Sequence, residues 1–165
     1  MGATPQRQVC SRYPQRSLPM DETLEAGVVL VHGSAAGFAQ EIRAGRHRLL
    51  ADEPVAAGGT DTGPGPYELI LGALGACTSM TIALYARRKR WSLEEVVVRL
   101  RHSRVYAEDC ADCETKEGML AVIECEISLS GTLSQDQRRQ LMNIAERCPV
   151  HRTLTSEIKI RTRLI

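Results

Sequence analysis

The chain has few aromatic residues and almost no net charge. One Trp, four Tyr and one Phe are its aromatic residues, and 21 basic side chains are offset by 20 acidic ones to leave a formal net charge of +1. A surface this close to neutral creates no long-range field that would attract a phosphate backbone or an anionic membrane, and few rings are available to stack on bases. We therefore expect neither nucleic acid nor a membrane as a partner.

The N-terminal residues lack the apolar stretch of a secretory signal. They mix Pro, Arg, Gln and Ser without apolar periodicity, which predicts a loosely ordered arm over 1–24 and a single domain over 25–165. Without a secretory signal we expect a cytoplasmic protein. Six cysteines in that compartment are typical of thiols kept reduced for chemistry or for burial, rather than of a disulfide framework.

Only one long stretch of the chain is uncharged. Residues 69–86 contain no Asp, Glu, Lys or Arg, and four basic residues follow at 87–90. The length reaches the lower limit for a membrane span, but the Gly, Ser and Thr within it make it only mildly hydrophobic, and we interpret it as the buried central helix of a soluble fold. Four small residues at three- and four-residue spacing would admit a second helix at close range. They are Gly72, Ala73, Ala76 and Cys77.

Alternating apolar and polar residues predict strands on both sides of this helix. The predicted strands cover residues 28–32, 38–44, 47–51, 96–101, 119–130 and 157–164. A loop rich in Gly and Pro spans 52–66, and Ser134 is predicted to cap a helix that Pro149 ends. Strands outnumber helices and most connections are too short for parallel crossovers, so we predict an α+β fold with an antiparallel sheet curved around the apolar helix.

Two cysteines fall on apolar faces of different predicted helices. Cys77 lies in the middle of the uncharged stretch, and Cys148 comes directly before Pro149, which biases it away from helical geometry. Both thiols could fill the core, since a buried Cys behaves as a small hydrophobe. They could also form a reactive pair, which requires Cα atoms within about 7 Å of each other. Spacing alone leaves both interpretations open.

The other cysteines have less specific surroundings. Cys125 is predicted to lie on the inward face of a strand as a structural residue, and Cys10 in the arm has no identifiable partner. Cys110 and Cys113 form a Cys-x-x-Cys pair among acidic residues, but a structural zinc site would need two further ligands and a redox pair would start a helix. We interpret this segment as an acidic surface loop and expect no metal and no cofactor.

Two spaced motifs make the sequence resemble a known family. The first comprises Asp52-Glu53-Pro54, Gly58-Gly59, Gly63-Pro64-Gly65-Pro66-Tyr67-Glu68-Leu69 and Gly75-Ala76-Cys77-Thr78-Ser79-Met80-Thr81, and the second is Cys148-Pro149-Val150-His151-Arg152-Thr153-Leu154. From about residue 27 to its end the chain resembles the OsmC/Ohr family of osmotically inducible and organic-hydroperoxide-resistance proteins. It is most similar to a branch that also carries an Asp-Cys-x-x-Cys loop.

The resemblance implies an intertwined homodimer in which sheets from both chains wrap two central helices, with an active site at each subunit boundary. It also implies thiol peroxidase activity on organic hydroperoxides, with Cys77 as the peroxidatic thiol and Cys148 as the resolving one. In such chemistry a thiolate attacks the peroxide O–O bond, becomes a sulfenic acid and condenses with the second thiol to a disulfide. An external dithiol must then reduce that disulfide.

The sequence departs from the family pattern where the thiolate should be activated. Family members place an Arg, held by a Glu, beside the peroxidatic thiol, but the loop over 52–66 contains no Arg or Lys, and Glu68 lies one residue later than the family's Glu. A one-residue shift turns a helical side chain by about 100°. A thiol in apolar surroundings is a poor nucleophile unless a cation lies close. The candidate cations, including those of a partner chain, are Arg43, Arg46, His47, Arg48 and Arg152.

Three hypotheses follow from these residues. The leading one is a dimeric cysteine-based peroxidase for organic hydroperoxides, with Cys77, Cys148 and Glu68 in its site. The second is a noncatalytic binding or structural homodimer that kept the fold without the activating Arg, and it predicts no peroxide-dependent disulfide between the two thiols. The third is a zinc-binding module at Cys110 and Cys113, which metal analysis of the purified protein would test.

Overall fold

Five antiparallel strands and three α-helices make up the described part of the chain. The computed structural model describes residues 24–110, 114–115 and 117–164, so the predicted arm lies, up to residue 23, outside the described residues. In chain order the elements are β1 (Val29–Gly33), β2 (Gln40–Ala44), β3 (His47–Ala51), α1 (Pro66–Lys89), β4 (Ser92–Tyr106), β5 (Met119–Thr132), α2 (Gln135–Ala145) and α3 (Pro149–Leu154). This content and order confirm the predicted α+β class.

The longest helix begins and ends on local signals. α1 starts at Pro66, whose fixed φ suits the first helical position, and the Oε2 atom of Glu68 accepts a 2.8 Å hydrogen bond from the backbone N–H of Gly65. It ends where Arg90 takes the left-handed conformation, at φ 57°. Basic residues 87–89 precede that end and suit the negative pole of the helix dipole. The uncharged stretch is therefore the body of α1, with a few residues added at each end.

Within the described residues, only one face of α1 is buried. That face packs against β4, α2 and α3. By length and composition α1 could cross a membrane, and 22% of its most apolar window is buried among the described residues. The small residues Gly72, Ala73 and Ala76 are exposed, so the second helix that their spacing predicts is absent from the described chain. The buried residues of α1 are Leu74, Gly75, Thr78, Ile82 and Ala86.

The strands divide between two antiparallel sheets. β1, β2 and β3 form one sheet in that order, and β4 pairs with β5 to form the other. β4 packs on α1. Within the described residues, by contrast, β1, β2 and β3 make substantial contacts only with one another. Four of the five residues of β1 are exposed. A sheet needs another layer to bury its apolar face, and this sheet lacks one in a single described chain.

A buried apolar cluster joins α1 to α2. Its four members are Ile82, Ala86, Leu141 and Ala145. α2 is positioned by its first turn, where Ser134 Oγ accepts a 3.2 Å hydrogen bond from the Gln137 backbone N–H and Gln137 Oε1 accepts a 2.9 Å bond from the Ser134 backbone N–H. This reciprocal pair is a capping box, and it confirms the predicted start of the helix. Arg138 then ties α2 to β5 by donating to the Leu129 carbonyl oxygen at 2.7 Å.

The C-terminal segment departs from the sequence prediction. The predicted second helix, α2, ends at Ala145, before the expected stop at Pro149, and Pro149 instead occupies the first position of α3, a helix that the periodicity did not indicate. The strand predicted over 157–164 is wrong for this chain, because those residues belong to no helix or strand. An extended segment needs a strand beside it to pair its backbone, and no described strand lies there. Its apolar side chains remain exposed, Ile160 by 85%.

Candidate active site

The loop between β3 and α1 is ordered around one buried carboxylate. Asp52 is 2% exposed, and its oxygens accept hydrogen bonds of 2.6–3.2 Å from the backbone N–H of Glu53 and from both the backbone N–H and the hydroxyl of Thr60 and Thr62. The Thr60 hydroxyl contributes most, and these bonds hold the pKa of Asp52 far below its usual value despite its burial. The Asp52 backbone N–H also donates to the Pro64 carbonyl oxygen at 3.3 Å. The carboxylate therefore fixes the chain that leads into α1.

Replacing Asp52 with Asn should destabilise the fold at neutral pH. Because the folded-state pKa is lowered, the carboxylate contributes fully to the free energy of unfolding above its unfolded-state pKa of about 3.9, and the contribution is lost as the pH falls below that value. We expect a lower urea midpoint for Asp52→Asn at pH 7 and a narrowing difference from the wild type below about pH 4. Asp61→Asn, at an exposed carboxylate in the same loop, should leave the midpoint unchanged. Equal midpoints for wild type and Asp52→Asn at pH 7 would contradict this account.

Two thiols from distant parts of the chain meet beside α1. Cys77 is half-buried in the middle of that helix, and Cys148 is 0% exposed at the N-cap position of α3. The Sγ atom of Cys148 lies 3.4 Å from the Oγ1 atom of Thr78 and accepts a 3.3 Å hydrogen bond from the backbone N–H of His151. Thr78 directly follows Cys77 in α1, so the Cys148 sulfur contacts the residue next to Cys77. The two motifs that the sequence separates are therefore adjacent in the fold.

Hydrogen bonds set the protonation of Cys148. Burial raises the pKa of this thiol, but hydrogen bonds from the Thr78 hydroxyl, the His151 backbone N–H, the Cys77 thiol and the Val150 backbone N–H outweigh burial and lower the pKa below the usual value for Cys. Donors directed at a sulfur stabilise the thiolate over the thiol. All four of these donors are neutral groups. The negative charge on Cys148 is therefore stabilised by directed hydrogen bonds.

A third free thiol, Cys125, faces the same part of α1. It pairs across the β4–β5 hairpin with Leu100, which lies against Gly75 of α1. The prediction that Cys125 is a buried structural residue is wrong in this chain: it is exposed, because α1 packs mainly on β4 and leaves this part of β5 uncovered. Partial burial, and then the negative charge of Cys148, raise the pKa of Cys125. As the pH rises, Cys148 therefore ionises before Cys125 does.

Glu68 lies at the start of α1 rather than in its middle. Its side chain is exposed, and the hydrogen bond that it accepts from Gly65 is a helix-capping contact. A carboxylate in the first turn also favours the positive end of the helix dipole. Glu68 therefore caps the start of α1. It lies more than two helical turns from Cys77 along that helix.

The candidate cations lie mainly on the three-stranded sheet. Arg48 on β3 pairs with Glu41 on β2 at 3.1 Å. Within the described residues this sheet makes no substantial contact with α1, so a single chain does not bring these groups to Cys77. Arg152 is the exception, since it lies one turn after Cys148 on α3 and is exposed. The candidates on or beside the sheet are Arg43, Arg46, His47 and Arg48.

Cys110, the first residue of the Cys-x-x-Cys pair, follows β4. Cys110 is disulfide-bonded in the structure, which differs from the expectation that the thiols stay reduced, and Cys113 lies outside the described residues. A disulfide sulfur offers no thiolate to a zinc ion. Among the residues that the structure describes, no group of three or more His, Cys, Asp or Glu side chains is placed to hold a metal.

An apolar groove of about 380 Å³ runs between α1 and β4. Gly75 lets the helix approach the sheet closely here, because a Cβ at that position would lie only 2.8 Å from the Cδ1 atom of Leu100. Ser79 contributes the one side-chain hydroxyl of the lining. Such a groove suits an apolar group of a ligand or of another chain. The lining residues are Leu71, Gly72, Gly75, Ala76, Ser79, Val98 and Leu100.

An apolar stripe on the uncovered side of α1 contains Cys77. The stripe consists of Ile70, Ala73, Cys77, Met80 and Leu84, at alternating spacings of three and four residues that place them on one helical face. Met80 is 70% exposed, and Ile70 and Leu84 are exposed as well. Large apolar side chains gathered on one exposed face are typical of an interaction surface. The Cys77 thiol is therefore at the centre of a face that the described chain leaves uncovered.

Two residues that shape the site were not identified from the sequence. Thr78 is 3% exposed and contacts Cys148, and the only signal for it was a hydroxyl next to a Cys within an apolar helix. Asp52 organises its loop, and the signal was an Asp followed by two Thr in a segment rich in Gly and Pro. The role of Thr78 depends on a contact with a residue 70 positions away, and that of Asp52 depends on how its own loop folds back on it. Spacing along the chain does not specify such contacts.

Comparison with known proteins identifies one family. A family model described as OsmC-like protein matches residues 59–163, a range that includes α1, Cys77 and Cys148. A search of curated protein sequences found no match.

Solved structures share the fold at low sequence identity. An organic hydroperoxide resistance protein OsmC from Legionella pneumophila is 23% identical, with a TM-score of 0.57 over 81% of this chain and 92% of that one. An OsmC-like protein from Mycoplasma pneumoniae is 19% identical, with a TM-score of 0.61 over 82% and 89% of the two chains. The organic hydroperoxide resistance protein OhrB of Bacillus subtilis is 20% identical, with a TM-score of 0.54 over 78% and 89%.

Proposed function

The chain belongs to the OsmC-like protein family, and from that premise we propose that it is a thiol-dependent peroxidase that reduces organic hydroperoxides through Cys77 and Cys148. A role connected with peroxides agrees with the solved family members that are named organic hydroperoxide resistance proteins. The observation that carries the proposal is the convergence of the two motifs, since the Cys148 sulfur lies 3.4 Å from the hydroxyl of Thr78, the residue that follows Cys77 in α1.

The difference in exposure between the two thiols supports different roles for them. Cys77 is half-buried on the uncovered side of α1, whereas Cys148 has no exposed surface. Of the two side chains, only that of Cys77 therefore lies at the surface of the described chain, where a peroxide can approach it at the boundary with a second copy. Cys77 is then the attacking thiol, and Cys148 is the neighbour that reacts with the oxidised product.

The proposed reaction uses two steps and one external reductant. The Cys77 thiolate attacks one oxygen of the hydroperoxide, the O–O bond breaks, and the products are a sulfenic acid on Cys77 and an alkoxide, which takes a proton from water to leave as the alcohol. The Cys148 thiolate then attacks the Cys77 sulfur, so that a disulfide forms and the hydroxyl leaves as water after protonation. A dithiol in solution reduces the disulfide and restores both thiols.

We further propose that the working form is a homodimer in which a second copy covers the stripe on α1. Three features of the described chain favour this: the exposed stripe with Cys77 at its centre, the exposed small residues that admit a second helix, and a three-stranded sheet without a covering layer. If the sheet of one protomer covers α1 of its partner, the cations on that sheet approach the partner's site. This arrangement would supply a positive charge that the described chain alone does not bring to Cys77.

Hydroperoxide consumption by the reduced full-length protein tests the proposal. With cumene hydroperoxide and a small dithiol in excess, we expect many turnovers per chain and a rate proportional to protein concentration. Cys125→Ser removes the exposed free thiol outside the pair and should retain the wild-type rate. We expect hydrogen peroxide, which has no organic group, to react more slowly. No consumption above the rate without protein would instead favour a noncatalytic homodimer.

A further inference from the structure

The hydroxyl of Thr78 is directed at the Cys148 sulfur. Thr78 Oγ1 lies 3.4 Å from Cys148 Sγ, and the two residues are 3% and 0% exposed. A hydroxyl in a helix commonly bonds to the carbonyl oxygen one turn back, and Thr81 does so, since its Oγ1 donates to the Cys77 carbonyl oxygen at 2.7 Å. Thr78 instead contacts a sulfur 70 positions away along the chain. This contact therefore links α1 to α3 at the thiol.

A second donor, from α3, holds the same sulfur. Cys148 is the N-cap residue of α3, and its Sγ accepts a 3.3 Å hydrogen bond from the backbone N–H of His151, as a Ser or Asp oxygen does at this position. An ionised sulfur can only accept, so the Thr78 hydroxyl donates whenever Cys148 is a thiolate. Because Cys148 has no exposed surface, water does not replace a missing donor. The thiolate therefore depends strongly on these two donors.

On the premise of the proposed peroxidase function, we propose that Thr78 is a positioning residue for the second step, in which Cys148 forms the disulfide with Cys77. Its hydroxyl stabilises the Cys148 thiolate and holds that sulfur against the residue next to Cys77. The thiolate attacks the sulfur of the Cys77 sulfenic acid, the S–S bond forms, the S–O bond breaks and hydroxide leaves. The Cys148 sulfur is oxidised and the Cys77 sulfur is reduced. The partner's cation acts on the first step, and Thr78 acts on the second.

The groups around Cys148 agree with stabilisation by neutral donors. Burial raises the pKa of Cys148, and hydrogen bonds, the largest of them from Thr78, outweigh burial and lower it. From α1 the titratable neighbour is Cys77, and from β5 it is Cys125, whose pKa is raised by partial burial and by the charge on Cys148. Of the neighbours along the chain, the charged side chains are exposed and the imidazole is half-buried. These neighbours are Glu146, Arg147, Arg152 and His151.

The second step can be timed separately from the first. A sulfenic acid adds an oxygen atom to the reduced protein, whereas a disulfide removes two hydrogen atoms, so the mass of the intact chain distinguishes them. Reduced wild type and Thr78→Val are mixed with enough cumene hydroperoxide to make the second step limiting, and are quenched in acid at timed intervals. We expect Thr78→Val to form the sulfenic acid at the wild-type rate. Its conversion to the disulfide should change in a direction that depends on pH.

The loss of the hydroxyl should move the pH profile of disulfide formation upward by about one pH unit, since a hydrogen bond to a charged group contributes about that much. At the acidic end of the profile Thr78→Val then has about tenfold less thiolate at Cys148, but each thiolate is about threefold more nucleophilic, so the disulfide forms about threefold more slowly. At the alkaline end both proteins are ionised, and the variant is about threefold faster. The two profiles therefore cross, whereas damaged packing would slow the step at every pH.

Two further variants control for the change of side chain. Thr78→Ser keeps the donor and should restore the wild-type profile. Thr81→Val is the matched control, because it removes a hydroxyl from the same helix that donates to a backbone carbonyl and not to Cys148. We expect Thr81→Val to keep the wild-type rates of both steps.

The possible results separate this inference from the proposed function. A wild type that is oxidised at Cys77, together with a Thr78→Val profile that coincides with it or lies below it at every pH, would overturn the inference and leave the peroxidase proposal intact. If Thr78→Val does not fold, Thr78→Ala removes the same hydroxyl and is judged by the same crossing. A wild type that is not oxidised at Cys77 would remove the function and the inference together.

Discussion

Replacing Cys77 with Ser is expected to reduce hydroperoxide turnover by at least about a thousandfold, to the rate without protein. The hydroxyl of Ser is far less acidic than a thiol and does not cleave a peroxide O–O bond at neutral pH. Cys148 cannot take over the first step, because it has no exposed surface. The measurement is consumption of cumene hydroperoxide in the presence of a dithiol, at equal concentrations of folded wild type and Cys77→Ser.

The matched control for this substitution is Cys125→Ser. Cys125 is a free thiol near the pair and is more exposed than Cys77, so it reports what an unassisted exposed thiol contributes. We expect Cys125→Ser to keep the wild-type turnover. Undiminished turnover in Cys77→Ser, or its loss in Cys125→Ser alone, would show that the peroxide reacts at another sulfur.

Introducing a charge at Met80 is expected to separate the proposed dimer. Met80 is 70% exposed on the stripe of α1, about one turn after Cys77, and a second copy would bury it. An unpaired carboxylate in such an interface costs about 3–5 kcal/mol, which weakens association by at least about a hundredfold. Light scattering during size-exclusion chromatography should therefore give a mass near twice 18.2 kDa for the wild type and near 18.2 kDa for Met80→Glu.

Val97→Glu is the matched control, because it also replaces an exposed apolar residue with a charged one. Val97 is also exposed, but it lies on the face of β4 that is turned away from α1. We expect this variant to keep the wild-type mass. A wild-type protein that is monomeric at micromolar concentration would contradict the proposed assembly, and so would a Met80→Glu variant that keeps the dimer mass.

The parts of the fold that the sequence predicts are those that local patterns specify. The uncharged stretch marks α1, and its ends depend on Pro66 and on the basic last turn. The strands before and after it follow from alternation of apolar and polar residues. Ser134 and Gln137 lie three residues apart in the order that a capping box requires, and the structure forms that box. Each of these signals lies within a few residues of the feature that it predicts.

The parts that the sequence does not predict depend on contacts between distant segments. The alternation over 157–164 is typical of a strand, but the described chain supplies no neighbouring strand for it. Cys125 lies on the face that the pattern indicates, yet α1 covers β4 rather than β5. The candidate site shows the same division: motifs select Cys77 and Cys148, whereas the contact of Thr78 with Cys148 requires α1 and α3 to pack together.

The measurement that tests the central claim most directly is the state of Cys77, Cys125 and Cys148, the free thiols among the described residues, after one equivalent of cumene hydroperoxide. Reduced protein is treated without any dithiol, the remaining thiols are alkylated, and the peptides are identified by mass spectrometry. The account predicts a new disulfide between Cys77 and Cys148 and an alkylated Cys125. Cys77 and Cys148 both recovered as alkylated thiols after the peroxide is consumed, or Cys77 joined to any other cysteine, would contradict it.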